Sequence, residues 1–138
     1  MNADLERQNR LIVNHVRHAL DGVIAVYRFG STAHATATGS SDTDIAVLPR
    51  TRIPADRRFD AQEALAAQLG CDVDLVDLRG TSTVMAMQVI AGGQLIFDAD
   101  SDARGRFEDL VFSAYARLNE ERRGILDRVA AEKTVYGR

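Results

Sequence analysis

The sequence has little cysteine and proline, and these shortages exclude several kinds of structural feature. Among 138 residues there is one cysteine, Cys71, so an internal disulfide and a cysteine-based zinc site are both excluded. We expect a reducing, cytoplasmic setting. The two prolines, Pro49 and Pro54, bracket one short polar segment, and no repeat or low-complexity linker interrupts the chain. The length predicts one globular domain over residues 1–138.

The sequence also lacks an excess of positive charge and a long apolar run. Lysine and arginine number 17 against 20 aspartates and glutamates, a formal net charge of −3, so no overall positive field attracts long nucleic acid. No stretch approaches the roughly 18 apolar residues of a membrane-spanning helix, and the polar N-terminus has no signal-peptide core. We expect neither membrane insertion nor direct binding of long nucleic acid.

The sequence does contain a regular succession of helical and extended patterns. Apolar residues spaced by three and four predict helices near residues 5–20, 57–69 and 81–93. β-branched or alternating runs predict strands near residues 23–29, 42–48, 71–78 and 94–99. Small polar residues at 31–41 indicate a short helical turn and a loop. From about 101 to 131 the pattern predicts a long amphipathic helix or a helical pair.

This order of elements predicts an α+β fold. We expect a small mixed β-sheet covered by helices, followed by a long C-terminal helical segment.

Three aspartates near the starts of two predicted strands are candidates for chemistry. Asp42 and Asp44 share a face of the second strand, and Asp74 lies on the third, so all three carboxylates can project from one face of adjacent strands. Carboxylates brought together without a cation repel one another and lose hydration. Magnesium prefers oxygen ligands and is usually held by one or two carboxylates plus substrate phosphates. We predict that these aspartates are catalytic and bind metal.

A glycine and a serine at the end of the first predicted strand suit a phosphate. At Gly30 the backbone can come close to a phosphate, and Ser31 can donate its hydroxyl where a helical turn begins. We predict that Gly30 and Ser31 bind a nucleoside triphosphate. Two magnesium ions held between that triphosphate and the aspartates would stabilise attacking and leaving oxygens in an in-line displacement at phosphorus.

The string GSTAHATATGSSDTD contains Gly-Ser, ten residues, then Asp-x-Asp. It resembles the signature of the polymerase-beta-like nucleotidyltransferase superfamily, and VDLV at 73–76 stands where that family carries its third acidic residue. The short chain is similar to the minimal nucleotidyltransferases, in particular to the MntA-type antitoxins that are paired with a HEPN-domain ribonuclease toxin. The resemblance covers nearly the whole chain, with specific motifs between Gly30 and Asp77. Many relatives read Arg-Gly where this chain has His34-Ala35, so contacts with the nucleotide can differ there.

The resemblance implies ATP as the AMP donor and a hydroxyl of the toxin, a tyrosine, as the acceptor. It also implies an antitoxin role and a hetero-oligomer with the toxin. Two alternatives remain open: a non-catalytic antitoxin that neutralises the toxin by covering it, and a small-molecule nucleotidyltransferase. The apparent lack of a second domain to enclose a small acceptor argues against the latter.

The same residues also have ordinary structural interpretations. Aspartates are commonly exposed at strand ends, Gly30 alone would be a turn residue, and Ser31 alone would be a helix cap. We interpret Asp72 and Asp77 as structural or exposed, with Asp77 facing away from Asp74. The C-terminal pattern, rich in arginine and glutamate, fits either a solvated helix face or a docking surface for a partner.

Overall fold

Over the residues that the structure describes, the fold comprises four helices and four strands. The computed structural model describes residues 3–30 and 42–136, with side chains up to residue 131. The helices are α1 (Ala3–Ala19), α2 (Ala55–Leu69), α3 (Thr83–Gly92) and α4 (Ser101–Tyr136). The strands are β1 (Val23–Phe29), β2 (Thr43–Pro49), β3 (Val73–Asp77) and β4 (Gln94–Asp98). The predicted strands and helices are confirmed within a few residues; the expectation for 31–41 lies outside the described residues.

The four strands form one mixed sheet in the order β3-β2-β1-β4. β1 is antiparallel to β2 and to β4, whereas β2 and β3 are parallel. The end of β1 therefore lies beside the starts of β2 and β3, at what we call the upper edge of the sheet. The mixed sheet predicted from the sequence is confirmed, and its topology brings Gly30, Asp44 and Asp74 to this edge.

Each face of the sheet carries its own apolar core. Alternate strand side chains point to opposite faces, so Val26, Ile45 and Leu75 pack with Ile12 of α1 and Leu65 of α2. On the other face, the core includes residues of α3 and α4 as well as strand residues: Ile24, Tyr27, Ala46, Leu48, Val89 and Val111. The sheet is thus covered on both faces, which holds the upper edge in a rigid frame.

Local signals set the ends of two helices as the sequence predicts. α3 begins after Ser82, whose hydroxyl accepts a hydrogen bond from the Met85 amide at 3.1 Å. α2 ends at Gly70, which has φ +72° and donates its amide to the Ala66 carbonyl. A left-handed residue at this position closes the last helical turn, and glycine adopts it at little cost.

β3 lies at one edge of the sheet, and side chains of α2 cover part of its outer backbone. The Leu75 amide donates to Gln62 Oε1 at 3.0 Å, and Arg58 donates to the Leu75 carbonyl at 3.0 Å. Both polar groups of Leu75 are therefore satisfied without another strand.

The C-terminal segment is a single helix, which decides between the two predicted arrangements. α4 has 36 residues, and Val111 is its buried contact with the sheet core. Leu118 is half-buried, whereas residues 119–131 are all exposed. The second half of α4 therefore extends beyond the protein body. Within the described ranges, no helix is long and apolar enough to cross a membrane.

Candidate functional site

Two of the predicted aspartates lie side by side at the upper edge of the sheet. Asp44 and Asp74 are register partners across the parallel pair β2 and β3, so both side chains project from the same face. It is the face covered by α3 and α4, because Ala46 belongs to that core and Val76 packs against it. Asp44 is half-buried and Asp74 is exposed. Asp42 is exposed and lies one residue before β2.

The electrostatics of Asp44 show that the carboxylates of Asp74 and Asp42 lie close enough to act on it. Burial raises the pKa of Asp44, and the nearby carboxylates of Asp74 and then Asp42 raise this pKa further. Both causes act in the same direction, because desolvation and like charge each disfavour the ionised form. A cation among these oxygens would offset the repulsion.

Gly30, the first residue of the Gly-Ser part of the motif, lies against the side chain of Asp44. It has φ +76°, a left-handed conformation that favours glycine. A β-carbon at this position would overlap Asp44 Oδ2 and lie 3.1 Å from Asp44 Cγ. The carboxylate therefore occupies the space that a side chain at residue 30 would need. Ser31, His34 and Ala35 lie outside the described residues.

The chemistry of the carboxylate oxygens of Asp42, Asp44 and Asp74 suits magnesium. Among residues 3–30 and 42–136, no group of three or more His, Cys, Asp or Glu side chains is placed to hold a metal ion. Magnesium rarely uses an all-protein cage, since it retains waters and binds one or two carboxylates together with substrate phosphates. The mutual repulsion at Asp44 and the exposed side chains of Asp42 and Asp74 fit that mode.

Comparison with known proteins identifies the family. Residues 12–102 match the family model described as polymerase beta, nucleotidyltransferase. The protein adenylyltransferase MntA of Shewanella oneidensis is 36% identical over 120 residues, covering 87% of this chain and 86% of that protein. The chain belongs to the polymerase beta nucleotidyltransferase family. The resemblance seen in the sequence is thus confirmed.

Solved structures of similar chains come from toxin–antitoxin complexes. A crystal structure of a toxin–antitoxin with AMP-PNP contains a chain 34% identical to this nucleotidyltransferase, with a TM-score of 0.79; the match covers 88% of this chain and 98% of that one. A structure of a tri-AMPylated Shewanella oneidensis HEPN toxin with an MNT antitoxin gives 31% identity and a TM-score of 0.77, covering 91% and 98%. The similarity extends well beyond the motif.

Two further aspartates of the nucleotidyltransferase differ in role. Asp77 is buried on the opposite face from Asp74. Its Oδ2 accepts from the Ile53 amide at 2.8 Å and its Oδ1 accepts from the Arg79 amide at 2.9 Å. Asp77 is therefore structural, since it holds the loops that follow β2 and β3. Asp72 is exposed. Both observations agree with the sequence interpretation.

Sequence reasoning missed a buried arginine near the site. Arg28 is 2% exposed, and its guanidinium donates to Asn9 and Gln8 of α1, each at 2.9 Å. Desolvation lowers the pKa of Arg28. Its Nε finds no hydrogen-bond partner within the described part of the chain. An arginine in a β-branched run ordinarily marks an exposed position, so no sequence signal indicated this burial.

Sequence reasoning also missed a cavity of about 550 Å³ along the outer edge of β3. Its lining includes Asp74, Arg52 and Arg58, together with Gly80 and Thr81. The lining comes from the segment before α2, the first turn of α2, β3 itself and the segment after β3, and no periodicity connects these residues.

Proposed function

We propose that this protein transfers AMP from ATP to a tyrosine hydroxyl of a partner HEPN toxin and thereby acts as its antitoxin. The observation that carries the proposal is the contact of Asp44 with Gly30 on one side and its register with Asp74 on the other. This arrangement joins a phosphate-binding turn to carboxylates that can hold a divalent cation. The AMP-transferring relative and the toxin complexes support the choice of nucleotide and acceptor.

In this proposal Gly30 and Ser31 hold the triphosphate, and Asp42, Asp44 and Asp74 hold two magnesium ions. Ser31 is assigned on the motif alone. When bound, magnesium neutralises charge on the phosphate oxygens and on the leaving group. The absence of a side chain at Gly30 lets the triphosphate approach the carboxylates closely.

The transfer forms one bond and breaks another. The acceptor oxygen attacks the α-phosphorus, the bond from that phosphorus to the bridging oxygen breaks, and pyrophosphate leaves. The acceptor proton passes to a base or to solvent. Asp74 is the ligand that we assign nearest to the attacking hydroxyl, because it lies on the strand farthest from Gly30.

The direct test is incubation with labelled ATP, magnesium and the product of the neighbouring gene, the candidate toxin. We expect label on the toxin, and we expect Asp42→Ala and Asp44→Ala to reduce the initial rate by at least about 100-fold, the scale of losing a main electrostatic contribution. Asp60→Asn, which alters an exposed aspartate of α2, is the matched control and should retain the rate. Absence of label with the unaltered protein would exclude AMP transfer to that toxin.

The second half of α4 favours one other candidate function, neutralisation by binding alone. Ile125, Leu126 and Val129 are 51%, 67% and 43% exposed, and an exposed apolar face of this kind can dock a partner. In that case Asp44→Ala would still neutralise the toxin, whereas Leu126→Asp would not. Our proposal expects the opposite for Asp44→Ala. Both candidate functions include a hetero-oligomer with the toxin and a cytoplasmic setting.

A further inference from the structure

The cavity beside β3 adjoins the proposed catalytic carboxylates. It follows the outer edge of β3 from Asp74 to Asp77, and its other walls are the segment before α2, the start of α2 and the segment after β3. Its volume of about 550 Å³ falls within the range of about 300–1,000 Å³ that is usual for ligand sites. Asp74 lines this cavity and is also one of the three proposed catalytic aspartates. A ligand in the cavity can therefore reach the proposed reacting centre.

Two arginines of the lining, Arg52 and Arg58, provide donors that suit an anion. The Arg52 side chain crosses Gly80, with Nε 3.0 Å from the position of a β-carbon there, and Arg58 donates to the Leu75 carbonyl. Neither arginine forms an ion pair with a residue in the described ranges. The buried Asp77 already accepts two amide hydrogen bonds. Arginine presents several donors in a planar fork that suits carboxylates and phosphates.

The order of groups across the sheet indicates which substrate enters here. Gly30 follows β1, Asp44 lies on β2, Asp74 lies on β3, and the cavity lies outside β3. In phosphoryl and nucleotidyl transfer the attacking and leaving oxygens are roughly in line on opposite sides of phosphorus. If the leaving pyrophosphate lies toward Gly30, the acceptor approaches from the side of β3.

We propose that the cavity lined by Arg52 and Arg58 binds the acceptor segment of the partner toxin through an acidic side chain near the acceptor hydroxyl. This inference depends on the proposed AMP transfer. It assigns Arg52 as a specificity residue, because its exposed guanidinium selects an anionic segment without contacting the reacting atoms.

The test measures initial rates of AMP transfer by the full chain while toxin and ATP concentrations are varied separately. Arg52→Glu should raise the KM for toxin about tenfold, equivalent to about 1.4 kcal/mol, with the KM for ATP unchanged. Arg52→Lys keeps the charge and should restore most of the affinity. Arg57→Glu is the matched control, since Arg57 is also exposed but contributes to a different surface near Ala19 and Asp60. Thermal unfolding of each variant checks folding.

Each other outcome counts against the inference. A higher KM for ATP with an unchanged KM for toxin would assign the cavity to the nucleotide. Equal effects of Arg52→Glu and Arg57→Glu, or no effect of either, would show that Arg52 has no specific role in binding the toxin. These outcomes leave the proposed function intact, whereas failure of the unaltered protein to transfer AMP removes both proposals together.

Discussion

At the scale of single residues, the site depends on a glycine that leaves room for a carboxylate. Gly30 combines a left-handed backbone with the close approach of Asp44 Oδ2, so two separate constraints act at one position. Gly70 has nearly the same backbone conformation, φ +72°, but a β-carbon there would meet nothing within 4 Å. The two glycines therefore separate backbone strain from displacement of the Asp44 carboxylate.

We predict that Gly30→Ala abolishes AMP transfer, whereas Gly70→Ala retains it. Both substitutions place a β-carbon in the left-handed region, which costs about 1–2 kcal/mol, but only Gly30→Ala also displaces the Asp44 carboxylate. Urea unfolding and initial transfer rates check the two effects. Equal loss of activity in both variants would show that instability, and not the contact with Asp44, is responsible.

The pKa of Asp44 predicts a pH-dependent effect on stability. Because the folded protein raises the pKa of Asp44, its ionised form is disfavoured by folding, and the unfolding free energy falls as pH rises through this raised value. Asp44→Asn should therefore stabilise the magnesium-free protein at pH 7. The gain should disappear as pH falls below the ordinary aspartate value of about 3.9, because Asp44 is then neutral in both the folded and the unfolded protein.

Denaturant unfolding at several pH values measures this difference. Asp60→Asn, with its exposed side chain, serves as the control for losing a negative charge in general. A destabilising effect of Asp44→Asn at pH 7 would mean that the carboxylate has a favourable partner and does not experience net repulsion.

At the scale of elements, a buried hydrogen bond attaches α4 to β1. Tyr27 is 2% exposed, and its hydroxyl donates to Glu108 Oε2 at 2.8 Å. Burial, followed by the hydrogen bond to Glu108, raises the pKa of Tyr27 far above its ordinary value, so the phenol stays protonated. Glu108 also accepts from Arg104 at 3.1 Å. This group fixes the first half of the long helix against the sheet.

We predict that Tyr27→Phe lowers the unfolding free energy by about 1–3 kcal/mol, the usual range for a hydrogen bond to a charged group. Tyr115→Phe alters a half-buried tyrosine of α4 and should have a smaller effect. Thermal and urea unfolding compare the two variants. Equal effects would indicate that the Glu108 interaction contributes little.

At the scale of the whole molecule, the protein divides into a body and a projecting helical segment. The body comprises the sheet and the helices packed on its two faces, and it contains the proposed site. From residue 119 to 131 every side chain of α4 is exposed. This segment therefore adds little to the stability of the body.

We predict that ending the chain after Leu118 changes the unfolding free energy by less than about 1 kcal/mol, as expected for removal of exposed residues. ATP binding with magnesium should be unchanged, and complex formation with the toxin reports separately whether the projecting segment is an interface. Loss of the folded body would show that the C-terminal half of α4 stabilises it. Calorimetry of the shortened and full chains measures both quantities.

The sequence predicts the elements better than their arrangement. β-branched runs and the spacing of apolar residues locate β1 and α2, because these signals are local. The motif also predicts that Asp44 and Asp74 lie on one face, which their register confirms. The strand order, the buried Arg28 and the cavity beside Arg52 depend on contacts between distant segments, which no local pattern contains. Ser31 and His34 remain sequence predictions.

The side chains of α2 at the outer edge of β3 have a consequence for the protein in a crowded cell. An open strand edge can recruit strands from other chains and start aggregation. Gln62 and Arg58 already occupy the amide and carbonyl of Leu75, so an incoming strand cannot form a continuous ladder there. The protein can thus reach a high concentration without joining other copies edge to edge through β3. The cavity beside β3 stays accessible.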